Sequence, residues 1–504
     1  MNIRKLLTRL VSLALIAVFL PTVAMADTWY LEDGSITVSA TESGQNVSQG
    51  GVTKADSAPV IRNRDSSAST TNNVTIKADT GATANVTLED TNIDTTGGAG
   101  PKGAGDAAVR TEGAGNVNLN VELDNTLQSG NTRAGVEKGN GGNLTIGSES
   151  GSGQLVAVGG DGGAGIGSED RLASGNYNVG NITITGGDIF ATGNHGAAGI
   201  GGGWRGNGTD ITITGGNITA VGKTKSSRDV GGAGIGGGGN QTPDPGIGSN
   251  IKITGGSVTA VGGNYAAGIG GSYLSKGENI TIIDAEVIAK GGANGAGIGG
   301  GDSGDGSNIS ISGNANVKAA GGASDGEIGD GAAIGAGGTY RGGQPVRGEE
   351  RDVNTSGLTG SIERLPAGTT FDIPQPKPRD SFPKPAPDPV AVEEEPQQVK
   401  AALYRVIDDA GKALPVETKQ EDGVLLLTAQ ADIAILEGAI SGLQTLQSRG
   451  IDTITFTNGT ISVSFSLAEV IAKGVSSDVY RLTLSGGEAN FTLADADITA
   501  LLGK

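Results

Sequence analysis

Trp204 and Tyr273 hold the same place in two copies of a repeating phrase, four residues after Ile200 and Ile269. Aromatic rings presented at a fixed interval offer flat apolar faces that stack on sugar rings, while neighbouring polar groups take the hydroxyls. Arg205, Tyr265 and Asp302 fall near the same register and are the candidate polar partners. Catalysis needs a different set. Glycoside hydrolysis requires two carboxylates flanking the scissile bond, and a polysaccharide lyase requires a base with a Ca²⁺ site. The carboxylates on offer are Asp302 and Asp305 in G-D-S-G-D-G-S-N, Asp325 and Asp330, and Asp229 beside Arg228. They are scattered, and none pairs across neighbouring units in a strong motif. The single histidine, His195, stands in a slot filled elsewhere by Asn264 or Asn294, which suggests a solvated loop position. No residue is therefore assigned to catalysis. The acidic turns leave room for Ca²⁺, although their spacing matches neither an EF-hand nor the G-G-x-G-x-D nonapeptide.

These residues are punctuation in a repeat that must position them. Between Asn181 and Ala319 the chain opens five similar units, at Asn181, Asp210, Asn250, Asn279 and Asn308, with three intervals of 29 residues and one of 40. Self-similarity at such a period signals a solenoid. In the first segment Ile182 and Ile184 alternate with Thr183 and Thr185, so the isoleucines share one face of a strand. The pairs Ile211 and Ile213, Ile251 and Ile253, Ile280 and Ile282, and Ile309 and Ile311 repeat this. A second segment brings Ile189, Ile218, Val258 and Val287, with Val317 displaced by one residue; a third brings Ile200, Ile235, Ile269, Ile298 and Ile334. Three short strands per unit, each with one inward stripe, predict an all-β chain wound as a right-handed parallel β-helix. One such turn cannot bury its own apolar face, so neighbouring turns must supply the second half of each ladder. More degenerate coils opening at Asn73, Asn116 and Asn143 bring the total to about eight or nine. The opening Asn residues form a file at one corner, with their amides expected on the backbone of the next turn. Glycine strings of the G-x-G-x-x-G kind recur in every unit and open no helix, which argues against nucleotide binding.

Composition agrees. The chain has 92 glycines in 504 residues and 3% aromatics, too little bulk for a conventional enzyme core. It has no cysteine, and its net charge of −19 disfavours nucleic acid or anionic lipid as partner. Residues 1–26 have the plan of an export signal: Arg4, Lys5 and Arg9, an apolar run from Leu10 to Leu20, then Ala24-Met25-Ala26. No further span is long and apolar enough for a membrane helix, and the chain ends in L-L-G-K without a wall-sorting motif.

The expected domains are the signal at 1–26, the β-helix at 27–365, a proline-rich linker at 366–400 and a small α+β domain at 401–504. Pro374, Pro376, Pro378 and Pro383 favour extended polyproline II, so the linker is expected to be a semi-rigid spacer. In the last domain Asn458-Gly459 and Gly486-Gly487 mark hairpins. A helix is expected over 431–449, with Ile433, Leu436, Ile440, Leu443 and Leu446 on one face. Capping signals at Ser466 and Thr492 suggest two more, giving three ββα units. Extra residues around 168–180, 223–230 and 241–248 are expected as outer loops.

The wording I-T-I-T-G-G, V-T-A-V-G-G and G-A-G-I-G-G-G at 182–320 resembles repeats of exported, adhesin-like surface proteins of Gram-positive gut bacteria, which are similar to carbohydrate-binding β-helix modules. The resemblance covers about residues 28–340. It implies a secreted or cell-surface protein that binds a polysaccharide or glycan surface; apart from the Ca²⁺ that the acidic turns leave room for, no cofactor is expected. The competing readings are a β-helix lyase or glycoside hydrolase, and a stalk without ligand.

Overall fold

The alternating isoleucines pile up turn upon turn, and the coil follows from them. The computed structural model describes residues 27–503 except 98–104, 171–177, 225–228, 240–245, 384–403 and positions 410, 413, 422, 449, 476, 477 and 495. The expected export signal, Arg228 and most of the three expected outer loops lie outside the described residues. Three sheets of ten, nine and twelve strands form the faces of a three-sided coil, and eight successive turns contribute a strand to all three.

On the first face Ile184, Ile213, Ile253, Ile282 and Ile311 pair as parallel neighbours in one column. On the second, Ile189, Ile218, Val258, Val287 and Val317 do the same. On the third, Ile200, Ile235, Ile269, Ile298 and Ile334 align within two-residue strands. All are buried in one continuous core. Val317 does not slip: the extra residue is taken up by a turn at Gly313, where φ is +63°, and pairing with Val287 is kept. The strand after Asn73 does differ from expectation. Val74–Ala78 belongs to the third face, and the matching first-face strand is Thr83–Glu89.

The Asn file has a conformational cause. Asn181, Asp210, Asn250, Asn279 and Asn308 all have φ between +50° and +57°, a left-handed region in which Asn and Asp are the best tolerated residues after glycine. Their side chains bond to one another rather than to the next backbone: Asn250 Nδ2 donates to Asp210 Oδ1 at 3.0 Å, Asn279 Nδ2 to Asn250 Oδ1 at 3.1 Å and Asn308 Nδ2 to Asn279 Oδ1 at 2.6 Å. Asn279→Ala loses two of these bonds and puts Cβ in a strained position, so its unfolding free energy should drop by about 1–2 kcal/mol. Asn279→Gly, which relieves the strain, should lose less; equal losses in urea titrations would contradict this account.

Both coil ends are covered. At the start, strand Gly44–Gln49 folds antiparallel onto Ile36–Thr41, and Val52–Ala55 folds antiparallel onto Gly44–Gln49 in turn. At the other end Glu350 accepts the N–H groups of Ala333 at 2.7 Å and Ile334 at 3.1 Å, and Ser361–Leu365 pairs with Asn316–Ala320 as the last strand of the second face. The proline-rich stretch departs from the expected semi-rigid spacer over its first part, because Lys377 and Arg379 are bonded to the second face.

The C-terminal unit carries its own core, with Phe465, Tyr480 and Phe491 in mutual ring contact. It is a mixed α+β fold, but not three ββα repeats. Ile433–Ala439 is a strand, flanked antiparallel by Arg405–Ile407 and Val479–Ser485, and only Ile440–Ser448 is helical. An apolar run rich in Ile and Ala fits either periodicity, and pairing on both sides decides for the strand. Thr492 likewise lies inside strand Glu488–Leu493 and starts no helix. Ser466 does stand at a helix N-cap, without a capping bond from its side chain. Both glycine-marked hairpins form. Among the described residues no helix is long and apolar enough to cross a membrane.

Candidate functional site

Each full coil turns twice around its short third-face strand, and the two turns meet outside it. The first turn lies four and five residues before the column isoleucine, where it places His195 and Gly196, Asn264 and Tyr265, or Ala293 and Asn294. The second lies four and five residues after it, with Trp204 and Arg205, Tyr273 and Leu274, or Asp302 and Ser303. Arg205, Leu274 and Ser303 have φ of +65°, +58° and +55°, so the second turn keeps one shape whatever residue occupies it. Backbone bonds fix the stacking: Arg205 N–H donates to Gly239 O at 2.9 Å, Leu274 N–H to Asp302 O at 2.8 Å and Ser303 N–H to Gly338 O at 2.8 Å.

Trp204 and Tyr273 thus share a column, two coil steps or roughly 10 Å apart, with Gly239 at the position between. Neither ring stands alone. Trp204 meets the edge of His195, with centroids 4.7 Å apart and planes at 73°. Tyr273 meets Tyr265 at 6.0 Å and 62°. Gly196 makes room for the indole, since a Cβ there would come within 2.8 Å of Trp204 Cε3. All four rings are partly exposed, and Leu274 beside them is 47% exposed. The ridge is apolar enough to stack on a sugar face and open enough to admit one.

Of the expected polar partners, Tyr265 is partly exposed, and its hydroxyl donates to Asp325 Oδ2 at 3.2 Å. Arg205 is half-buried, and its Nε makes no hydrogen bond among the described residues. Asp302 differs from expectation. It is 0% exposed and so closed to a ligand on the surface. Ser303 Oγ donates to its Oδ1 at 2.8 Å, and burial pushes its pKa up to about 6 against the opposing pull of the Ser303 and Asn294 side chains. Asn294, equally buried, lies beside this carboxyl.

His195 is not a solvated loop residue, and the register aligns it with Asn264 and Ala293, while Asn294 falls one position further on. His195 Nδ1 contacts Asp161 Oδ1 of the preceding coil while its ring carries Trp204. The equivalence of Asp161 and His195, each five residues before a column isoleucine, was the available signal. Further along the coil, Arg133 lies between Glu137 and Glu169, and Arg110 lies 3.3 Å from Glu137. Burial pushes Glu137 up to about 7 and Lys138 down to about 8. No sequence motif announced this cluster.

Three of the carboxylates considered for catalysis are engaged elsewhere. Asp305 holds Arg351 through two bonds of 3.0 and 2.9 Å, Asp325 holds the N–H groups of Glu327 and Ile328, and Asp330 holds that of Ser324. Among the described residues no three His, Asp or Glu side chains converge as a metal site.

No curated protein and no solved structure matches the chain. A family model described as Beta helix repeat matches residues 182–204, 211–239 and 251–273. The stretch that carries the Trp204–Tyr273 column is therefore a β-helix repeat region, by sequence comparison as by its coordinates.

Proposed function

We propose that this is an exported, adhesin-like protein that binds carbohydrate chains along the turn ridge, without chemical turnover. The carrying observation is the pair of ring clusters, Trp204 with His195 and Tyr273 with Tyr265, repeated on one edge two coils apart. A linear glycan laid along the coil axis meets an aromatic face at each cluster, Arg205 as hydrogen-bond donor and the Tyr265 hydroxyl oxygen as acceptor, with the buried Asp302 close by in the chain's register.

The test is a glycan array with the purified chain, run with and without EDTA. Trp204→Ala and Tyr273→Ala should each weaken binding to the retained glycan roughly 10- to 100-fold, as expected for a central aromatic contact, with unchanged melting. Unaltered binding in both variants would remove the ridge as the site. Loss of signal in EDTA would add Ca²⁺ to it.

The Asp161–His195 contact beside Trp204 favours one second reading, a carbohydrate-cleaving enzyme with His195 as its proton-transfer group. Release of reducing ends from the bound glycan, abolished in His195→Asn, would establish that reading in place of simple binding.

A further inference from the structure

The second face carries a row of polar side chains unrelated to the ridge. Asp124, Gln154, Asp188 and Asn217 begin successive strands and pair in register. Asp90 stands one coil earlier. Neighbours orient each one: Gln154 Nε2 donates to Asp124 Oδ1 at 2.7 Å, Asn217 Nδ2 to Asp188 Oδ1 at 2.7 Å and Ser66 Oγ to Asp90 Oδ2 at 2.6 Å. One oxygen of each aspartate is left over, and the leftover oxygens receive residues 377–379 of the same chain.

Gln154 clamps the main chain of Lys377 from both sides, accepting its N–H at 2.8 Å and donating to its carbonyl at 3.0 Å. Lys377 Nζ donates to Asp188 Oδ2 at 2.7 Å. The Arg379 guanidinium reaches Asp90 Oδ1 at 2.6 Å, Asp124 Oδ2 at 3.2 Å, the carbonyls of Asp124 and Thr91 at 3.1 Å each and Thr126 Oγ1 at 3.2 Å. Pro378 between them has φ −59° and ψ 142°, so the segment enters already extended and little chain entropy is lost on docking. Backbone is clamped, a point charge is placed opposite one carboxylate, and a planar cation fills a cradle of five acceptors. That pattern discriminates Lys-Pro-Arg from other basic peptides, which mere charge attraction does not.

We infer that this row is a recognition track for an extended Lys-Pro-Arg segment, with residues 377–379 as its resident ligand. The track is a peptide-binding surface distinct from the sugar ridge. The resident segment follows the last strand by about a dozen residues, which holds it at an effective concentration of order millimolar and excludes a free peptide of the same sequence.

The experiment uses the full chain and a fluorescent peptide of residues 371–383, read by anisotropy. The K377A/R379A double variant should bind the peptide at least 10-fold more tightly than the unaltered chain. Adding Asp124→Asn should reverse that gain, and a peptide with Glu at both basic positions should not bind. An intact double variant, by circular dichroism, that ignores the peptide, or takes the charge-reversed one equally, would overturn the inference. If the double variant does not fold, Asp124→Asn in the otherwise unaltered chain serves instead. Trypsin cleavage after Arg379 should then quicken several-fold, and an unchanged rate would overturn the inference equally.

Discussion

Gly292→Ala is expected to break the solenoid at the coil that contains it. A Cβ at this position would lie 1.8 Å from the carbonyl oxygen of Gly263 in the preceding coil and 2.4 Å from its carbon. Neither coil can retreat, because Gly263 N–H is bonded to Gly232 O and Gly292 N–H to Ala266 O. The same approach recurs where Gly322 faces Gly292 and Gly160 faces Gly130, so the restriction belongs to the stacking geometry. A backbone clash of this kind should cost on the order of 4–5 kcal/mol. Because each coil is stabilised mainly by its neighbours, the damage should spread to both sides. Gly342 provides the contrast: its φ is +58° with nothing within 4 Å of an added Cβ, so alanine there should cost only about 1–2 kcal/mol of backbone strain. Thermal unfolding followed by circular dichroism separates the two, and similar melting of both variants would refute the packing argument.

The folded chain should lose stability as pH rises from about 4.5 to 7, against the usual trend for a carboxylate-rich protein. Glu137 is the main cause: burial raises its pKa to about 7, with the nearby Glu169 charge adding to the effect and Arg133 and Arg110 opposing it. An acid whose folded pKa lies above its unfolded one keeps a proton that the unfolded chain releases. Its stabilising contribution is complete below the unfolded pKa and is lost as pH climbs through the folded value. At about 1.4 kcal/mol per pH unit, Glu137 accounts for roughly 3 kcal/mol. Asp302 acts in the same direction between about pH 4 and 6. Lys138, lowered to about 8 by burial, acts on the alkaline side, where stability should recover between about pH 8 and 10.5. Urea titrations at pH 5 and 7.5 should show the decline, and Glu137→Gln should flatten it. A wild-type profile that rises over that interval, with no change in slope for Glu137→Gln, would discard the assignment.

What could be foreseen divides along the range of the contacts involved. Within the coil, every pairing joins residues one period apart, so Ile184, Ile213, Ile253 and Ile282 reveal their column directly in the sequence. The equivalence of Trp204 and Tyr273 was legible for the same reason: both follow a column isoleucine by four residues.

The ring contacts were not legible, because His195 and Trp204 come from two turns whose meeting depends on how tightly the intervening Ile-Gly strand folds over. Nor was the burial of Asp302, which depends on how neighbouring coils close over its turn. The track for residues 377–379 is the extreme case: Lys377 and Arg379 meet Asp188 and Asp90 across 189 and 289 residues of sequence. No local period encodes such a contact. Sequence alone determined the repeat, its inward stripe and the coil, since side-chain alternation and repetition are local properties of the chain. Tertiary structure decided which turn residues touch, which carboxylate is dry, where the proline-rich segment lies and that 433–439 is a strand, since each is settled by partners supplied from elsewhere in the chain.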